Sequence, residues 1–252
     1  MNPVILKFLG KDRIKTLLIA IGTTSSIEVR PAISLLRGII AIFIALLPVF
    51  SQYLVIYKDT VDITTVFIGV ATCLAVLFRI RHKIPFLAVS NWKTALSLTH
   101  TAFALGCIPI VVLLIINPNS FVPVHQNAQV NTFNAEGPPI VSILFFIFSV
   151  SVWAGLTEEI IYRGLVISAI RRCAILGKQI TRDRLAILIS ALLFGLSHYP
   201  VWGFPVALSL VGLGIGFGMA YLAIGERVLP LVVYHIAFDI LSLSFSYMAH
   251  KI

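Results

Sequence analysis

Charge is what this sequence has least of. Only 12% of its 252 residues are Asp, Glu, Lys or Arg, while 59% are hydrophobic and the mean hydropathy is +1.01. A soluble domain carries about 25% charged residues, so a fully water-facing surface is excluded. Acidic groups are the scarcer sign, with 10 Asp and Glu against 19 Lys and Arg, for a net charge of +9. That excess does not point to nucleic acid. The basic residues sit in short clusters between apolar runs, as in cytosolic loops of membrane proteins. Cysteine is also sparse. Cys73, Cys107 and Cys173 are far apart, no CxxC spacing occurs, and neither a zinc site nor a disulfide framework is indicated. They read as small buried hydrophobes. Heptads, sequence repeats and a soluble domain are absent too. Lys7, Lys11, Arg13 and Lys15 precede only a short apolar stretch without a small-residue cleavage site. The arm therefore reads as an interfacial helix on the cytosolic leaflet rather than a signal peptide.

What is present is a succession of continuous apolar runs. Crossing a ~30 Å hydrocarbon layer takes about 20 helical residues, and backbone groups in lipid must be satisfied within the segment. The expected fold is therefore all-α, a polytopic transmembrane helix bundle of about seven spans. They are placed at Gly38–Tyr57, Val61–Phe78, Ala95–Ile116, Pro139–Ile170, Leu185–Tyr199, Phe204–Ile224 and Leu229–Met248. The fourth would be about 48 Å long, so it must tilt, break or project. Two parts are expected: 1–135, the interfacial helix and three spans, and 136–252, a core of four spans. The N-terminal arm and the loops after spans two, four and six hold nearly all the Lys and Arg, whereas Asn117–Pro138 holds none. This asymmetry predicts a cytosolic N-terminus. The polar segment Asn117–Pro138 is read as a connector.

Ionisable residues inside a span are costly and usually functional. The predicted fourth span carries Glu158, Glu159 and Arg163, the fifth His198, and the seventh His235 and Asp239. Glu159 and Arg163 are four apart and able to pair. Glu158 lies about 100° around the helix and points elsewhere. His235 and Asp239 share a face. Counting inward at about 1.5 Å per residue puts Glu158 ~18 Å, His198 ~20 Å and His235 ~10 Å deep, compatible with one polar pocket. A carboxylate beside a histidine suits proton transfer from water to a leaving group, and a second histidine suits an oxyanion. Glutamates with two histidines also compose a known zinc set, though no HExxH run occurs. Phe194 is read as packing that places His198 or lines a groove. Tyr162 is read either as a donor into the site or as an interface tyrosine. Pro200 is expected to stop the fifth span. The run Gly212 to Ala220 contains overlapping GxxxG patterns, expected to pack against the catalytic helices.

Glu158-Glu159-xxx-Arg163, then Phe194-xxx-His198, then His235-xxx-Asp239 resembles the three ordered motifs of the CAAX-protease and bacteriocin-processing family of intramembrane proteases, over about residues 139–245. The resemblance implies an endopeptidase acting on a membrane-bound or lipid-modified protein or peptide. Glu158 and His198 would activate water, His235 and Asp239 would hold the oxyanion, and Glu159–Arg163 would be a structural ion pair. An ionised Asp239 cannot donate a hydrogen bond; it is either protonated or orients His235, and the second is preferred. No metal cofactor is expected, with zinc on Glu158, His198 and His235 as the alternative. The expected setting is a multi-pass protein of a prokaryotic plasma membrane, with the lipid bilayer and a membrane-bound substrate as partners. A proton-coupled transporter is the competing reading, since buried Glu, His and Asp also form proton relays. A non-catalytic scaffold or immunity protein is a third.

Overall fold

The computed structural model describes residues 12–13, 15–16, 31–58, 61–82, 84, 89, 91–117, 120 and 140–249. Nearly all of the expected interfacial helix and of the polar segment after Asn117 lie outside the described residues. The described residues are helical and hold no strand, as the apolar runs require. The helices are α1 (Pro31–Lys58), α2 (Val61–Arg81), α3 (Trp92–Gly106), α4 (Ile108–Ile116), α5 (Ile140–Arg171), α6 (Gln179–Ala223) and α7 (Leu229–Ala249). Three continuous helical stretches are long and apolar enough to cross a membrane: Trp92–Ile116, α5 and α6. Shorter apolar helical stretches lie at Leu35–Val49 and Leu229–Ser244. The chain is an integral membrane protein. Its outer surface agrees, because Phe43, Leu77, Ile115, Phe145 and Leu241 stand exposed.

Several sequence expectations need correction. The expected third span is one helical stretch, with an irregular turn at Cys107 where Pro109 opens the first turn of α4. Proline lacks the N–H that a continuing helix would use and is tolerated at a helix start. α1 begins at Pro31, so Arg37 is helical rather than part of the arm. Arg79 and Arg81 belong to α2, and Arg79 is buried rather than loop-exposed. Of the cysteines only Cys173 is buried; Cys73 is exposed and Cys107 intermediate.

The fifth and sixth spans are the two arms of α6. Pro200 does not end the helix; the turn comes at Gly203, with φ 74° and ψ 176°. That backbone region is essentially reserved for glycine. Beyond it the second arm runs back along the first. Gly195 lies against Ala207 and Val211, Gly214 against Ala191, and Gly218 against Ile187. Gly212 and Gly216 face the opposite way, toward Gly106 and Ala102 of α3. The glycine run therefore packs on two partners, the His198-bearing arm and α3, with backbones in close approach. A Cβ at Gly216 would collide with the Ala102 carbonyl oxygen. Overpacking costs about 1–3 kcal/mol where side chains can shift, and a backbone obstacle is harder to move. Gly216→Leu is therefore expected to depress the yield of folded monodisperse protein in detergent; an unchanged elution profile and yield would contradict this packing.

One end of the bundle is fastened by charge. Arg171 Nε donates to Asp183 Oδ1 at 2.7 Å, and Arg171 also pairs with Glu226. Arg172 Nη1 donates to Glu226 Oε2 at 3.0 Å. Arg79 Nη1 donates to the Tyr221 hydroxyl at 2.7 Å and Arg79 Nη2 to the Glu226 carbonyl at 2.9 Å. Arg79 passes beside Gly164, where a Cβ would lie 3.2 Å from its Cδ. The basic residues that fix topology in the sequence thus also tie α2, α5, α6 and the turn before α7 together.

Candidate active site

The last third of α5 is not a regular α-helix. Residues Glu159–Ile167 form a π-helical segment, all of it buried. Single π turns inside helices are frequent at functional sites, because they re-aim side chains relative to 3.6-residue spacing. Glu158 is the last α-helical residue before it. Glu159 and Arg163 are fully buried, with Arg163 Nη1 3.1 Å from Glu159 Oε1. Glu158 keeps 25% of its side chain exposed, so the two glutamates face different surroundings.

α7 packs against the α-helical part of α5, Ile140–Glu158, and meets the start of the π segment at Glu159. Gly155 allows it, since a Cβ there would lie 2.8 Å from Ile236 Cγ1 and 3.5 Å from His235 Cβ. His235 Nδ1 lies 2.8 Å from Glu159 Oε1. His235 Nε2 lies 3.8 Å from Glu158 Oε2 and 3.5 Å from Asp239 Oδ2. An ionised carboxylate only accepts, so Glu159 fixes the Nδ1–H form of the ring and faces Nε2 toward Glu158 and Asp239. Glu159 therefore serves two partners, Arg163 and His235. Two carboxylates thus stand at the two ring nitrogens, Glu159 at Nδ1 and Asp239 at Nε2.

Aromatic rings enclose the charges. The Arg163 guanidinium lies 4.6 Å from the Phe194 ring centroid and 5.2 Å from that of Phe217. Its nitrogens have no hydrogen-bond partner among the described residues, so cation–π contact and the Glu159 charge are what compensate its burial. Phe194 also stacks near His198, with centroids 4.8 Å apart, and stands 6.5 Å from His235. His198 Nδ1 donates to the Phe194 carbonyl at 2.8 Å, which leaves Nε2 of the neutral ring as the basic nitrogen. No hydrogen bond or ion pair joins His198 to Glu158 among the described residues. Three of the expected site residues, Glu158, His235 and Asp239, converge directly around one nitrogen; His198 is linked to them through Phe194.

Beside Glu158 lies a cavity of about 80 Å³, lined by Trp153, Thr157, Tyr162 and Ser197 and closed by Pro48 of α1 and Ile68 of α2. That is several times the roughly 10–15 Å³ one water needs. Glu158 Oε2 is a buried atom with no hydrogen-bond partner among the described residues. Tyr162 is buried against this space rather than at a membrane interface.

Residues 140–241 match the family model described as type II CAAX prenyl endopeptidase, Rce1-like. This segment is similar to that family. The Rce1-like segment holds α5, both arms of α6 and most of α7, and every candidate site residue falls inside it. No curated protein and no solved structure matches the chain. The residues before the Rce1-like segment still reach its site, through Pro48 and Ile68.

The alternative zinc set is Glu158, His198 and His235. No three His, Cys, Asp or Glu side chains form a metal-holding group among the described residues. The rings of His198 and His235 stand 4.8 Å and 6.5 Å from that of Phe194, and Glu159 lies at His235 Nδ1, which leaves Nε2 toward Glu158. The sequence reading missed Phe217, whose ring stands 5.7 Å from His235 and over Arg163. Its signal is the one aromatic side chain in the run Gly212 to Ala220, where the other large residues, Leu213, Ile215 and Met219, are aliphatic. Pro48 and Ile68 carried no signal, because their place depends on how α1 and α2 dock.

Proposed function

We propose that this chain is an intramembrane endopeptidase that hydrolyses a peptide bond of a membrane-bound or lipid-modified protein or peptide. All seven apolar segments, counting α3 and α4 as one and the arms of α6 separately, cross the bilayer in this reading, with the N-terminus in the cytosol of a prokaryotic cell. The observation that carries it is Glu158 itself, a quarter exposed and lining a cavity with room for water, with Oε2 3.8 Å from Nε2 of a histidine whose Nδ1 is held by Glu159.

Glu158 takes a proton from a water in that cavity, and the hydroxide adds to the scissile carbonyl carbon. His198 assists from its Nε2, the nitrogen left basic by the Phe194 carbonyl. The tetrahedral intermediate places negative charge on the former carbonyl oxygen, which needs fixed donors. His235 as imidazolium donates from Nε2 to that oxygen while Nδ1–H stays on Glu159. Collapse returns the proton from Glu158 to the leaving amine. No step needs a metal, so cleavage should survive metal chelation. Loss on chelation with recovery on added zinc would overturn that part.

Asp239 lies 3.5 Å from Nε2, while Glu159 holds the ring. Asp239→Asn is therefore expected to keep activity within about tenfold, on the scale of a lost hydrogen bond, since an amide there can donate to the oxyanion. A severe loss in steady-state cleavage would return the orienting role to the Asp239 carboxylate. The family match supports the protease class, and terminal proteomics of wild-type and Glu158→Gln membranes supplies the substrate.

A further inference from the structure

A second concavity lies at the basic end of the bundle, between α1 and α2. Its volume is about 390 Å³, within the roughly 300–1,000 Å³ range of ligand clefts. Its walls are apolar: Leu36, Ile40, Ile44, Leu74, Leu77 and Phe78. Its rim is not. Arg37, Arg81 and His82 close one end. We propose that this groove binds an anionic phospholipid, with an acyl chain along the α1–α2 wall and the phosphate between Arg37 and Arg81.

Three observations carry this. First, the ends of the groove differ in chemistry, as the ends of a phospholipid do. Ile40 and Leu77 are 47% and 60% exposed on a membrane helix surface, so a chain enters from the lipid without leaving apolar surroundings. Second, the rim cations are uncompensated. Arg171 and Arg172 share Glu226 and Asp183, but no ion pair joins Arg37 or Arg81 to a carboxylate among the described residues. Third, the positive field there is concentrated. His82 is held below its ordinary value by burial and then by the guanidinium groups of Arg37, Arg172 and Arg81. A neutral imidazole beside two arginines adds a hydrogen-bond donor for a phosphate oxygen without adding charge. The site is distinct from the proteolytic one: Leu165 on the groove floor belongs to α5, but none of the residues around Glu158 lines the groove.

The proposal does not rest on proteolysis, and its test reads binding. Purified full-length protein in mild detergent is titrated with phosphatidylglycerol or phosphatidylcholine and bound lipid is counted by native mass spectrometry. One phosphatidylglycerol per chain should bind well ahead of phosphatidylcholine. Near a membrane surface each basic side chain contributes roughly a factor of five for anionic lipid, so Arg37→Gln with Arg81→Gln should weaken phosphatidylglycerol about 30-fold and leave phosphatidylcholine unchanged. Ile40→Trp keeps both cations but fills the groove, and should also weaken the lipid. Equal affinity for the two lipids would overturn the proposal. So would an unchanged affinity in the charge variant with normal thermal unfolding. Full competition by inorganic phosphate would overturn it too, by assigning the rim to a free anion. Tight binding of a neutral prenyl chain that persists in the charge variant would assign the groove to a different occupant.

Discussion

Glu158→Gln is expected to abolish cleavage, by at least about 10³-fold for loss of a general base, while the protein stays folded. The two effects separate because of where this side chain sits. Glu158 is a quarter exposed, and the histidine beside it, His235, keeps its closer carboxylate partner, Glu159. The neutral isostere of Glu158 leaves no buried charge unpaired. The amide fills the same space beside the cavity but cannot accept the water proton. Purified wild type and variant in nanodiscs, compared by single-turnover cleavage of an identified substrate and by thermal unfolding, supply the check. A variant that cleaves within tenfold of wild type would remove Glu158 from the reaction. A variant that unfolds would place Glu158 among the structural carboxylates instead.

The neighbouring residue predicts the opposite division. Glu159 and Arg163 are fully buried and paired at 3.1 Å. Removing one partner of such a pair typically costs about 3–5 kcal/mol, because the other charge remains in a low-dielectric site. Arg163→Met and Glu159→Gln should each lower stability on that scale. The double variant should lose less than the sum, since neither charge is left alone. Glu159→Gln should also slow cleavage beyond its stability effect, because the carboxylate that sets the His235 tautomer is gone. Denaturation by detergent titration, on all three variants, reads the coupling. Single-variant losses below about 1 kcal/mol would mean that the pair behaves like a solvated surface pair.

The sequence made the helices legible where hydropathy alone decides them, and left hidden what depends on docking. A run such as 140–171 is apolar enough to be helical whatever it touches, and its one acidic cluster marks the site. The bend at Gly203 lay between two runs already read as separate helices, but Pro200 misled: a proline near the end of a helical arm is tolerated when the following glycine takes the turn. The irregular turn at Cys107 has its local cause in Pro109, inside a run from 95 to 116 that is otherwise one helical stretch. Arg79 was read as a loop charge from its basic neighbours. Its burial depends on Tyr221, Gly164 and the turn at Glu226, which are more than 80 residues away in sequence. The four-residue spacing indicated that Glu159 meets Arg163. It could not indicate that the same carboxylate also reaches His235, a contact across 76 residues that depends on Gly155 letting α7 approach.

The proposal that Glu158 drives peptide-bond hydrolysis in the membrane is tested most directly by comparing protein termini in membranes of cells that carry wild type or Glu158→Gln at matched levels. A set of new termini present with wild type and lost with the variant, reproduced by purified wild-type protein on the corresponding substrates, is the predicted result. Identical termini in both membranes, with the biological function of the variant retained, would contradict it.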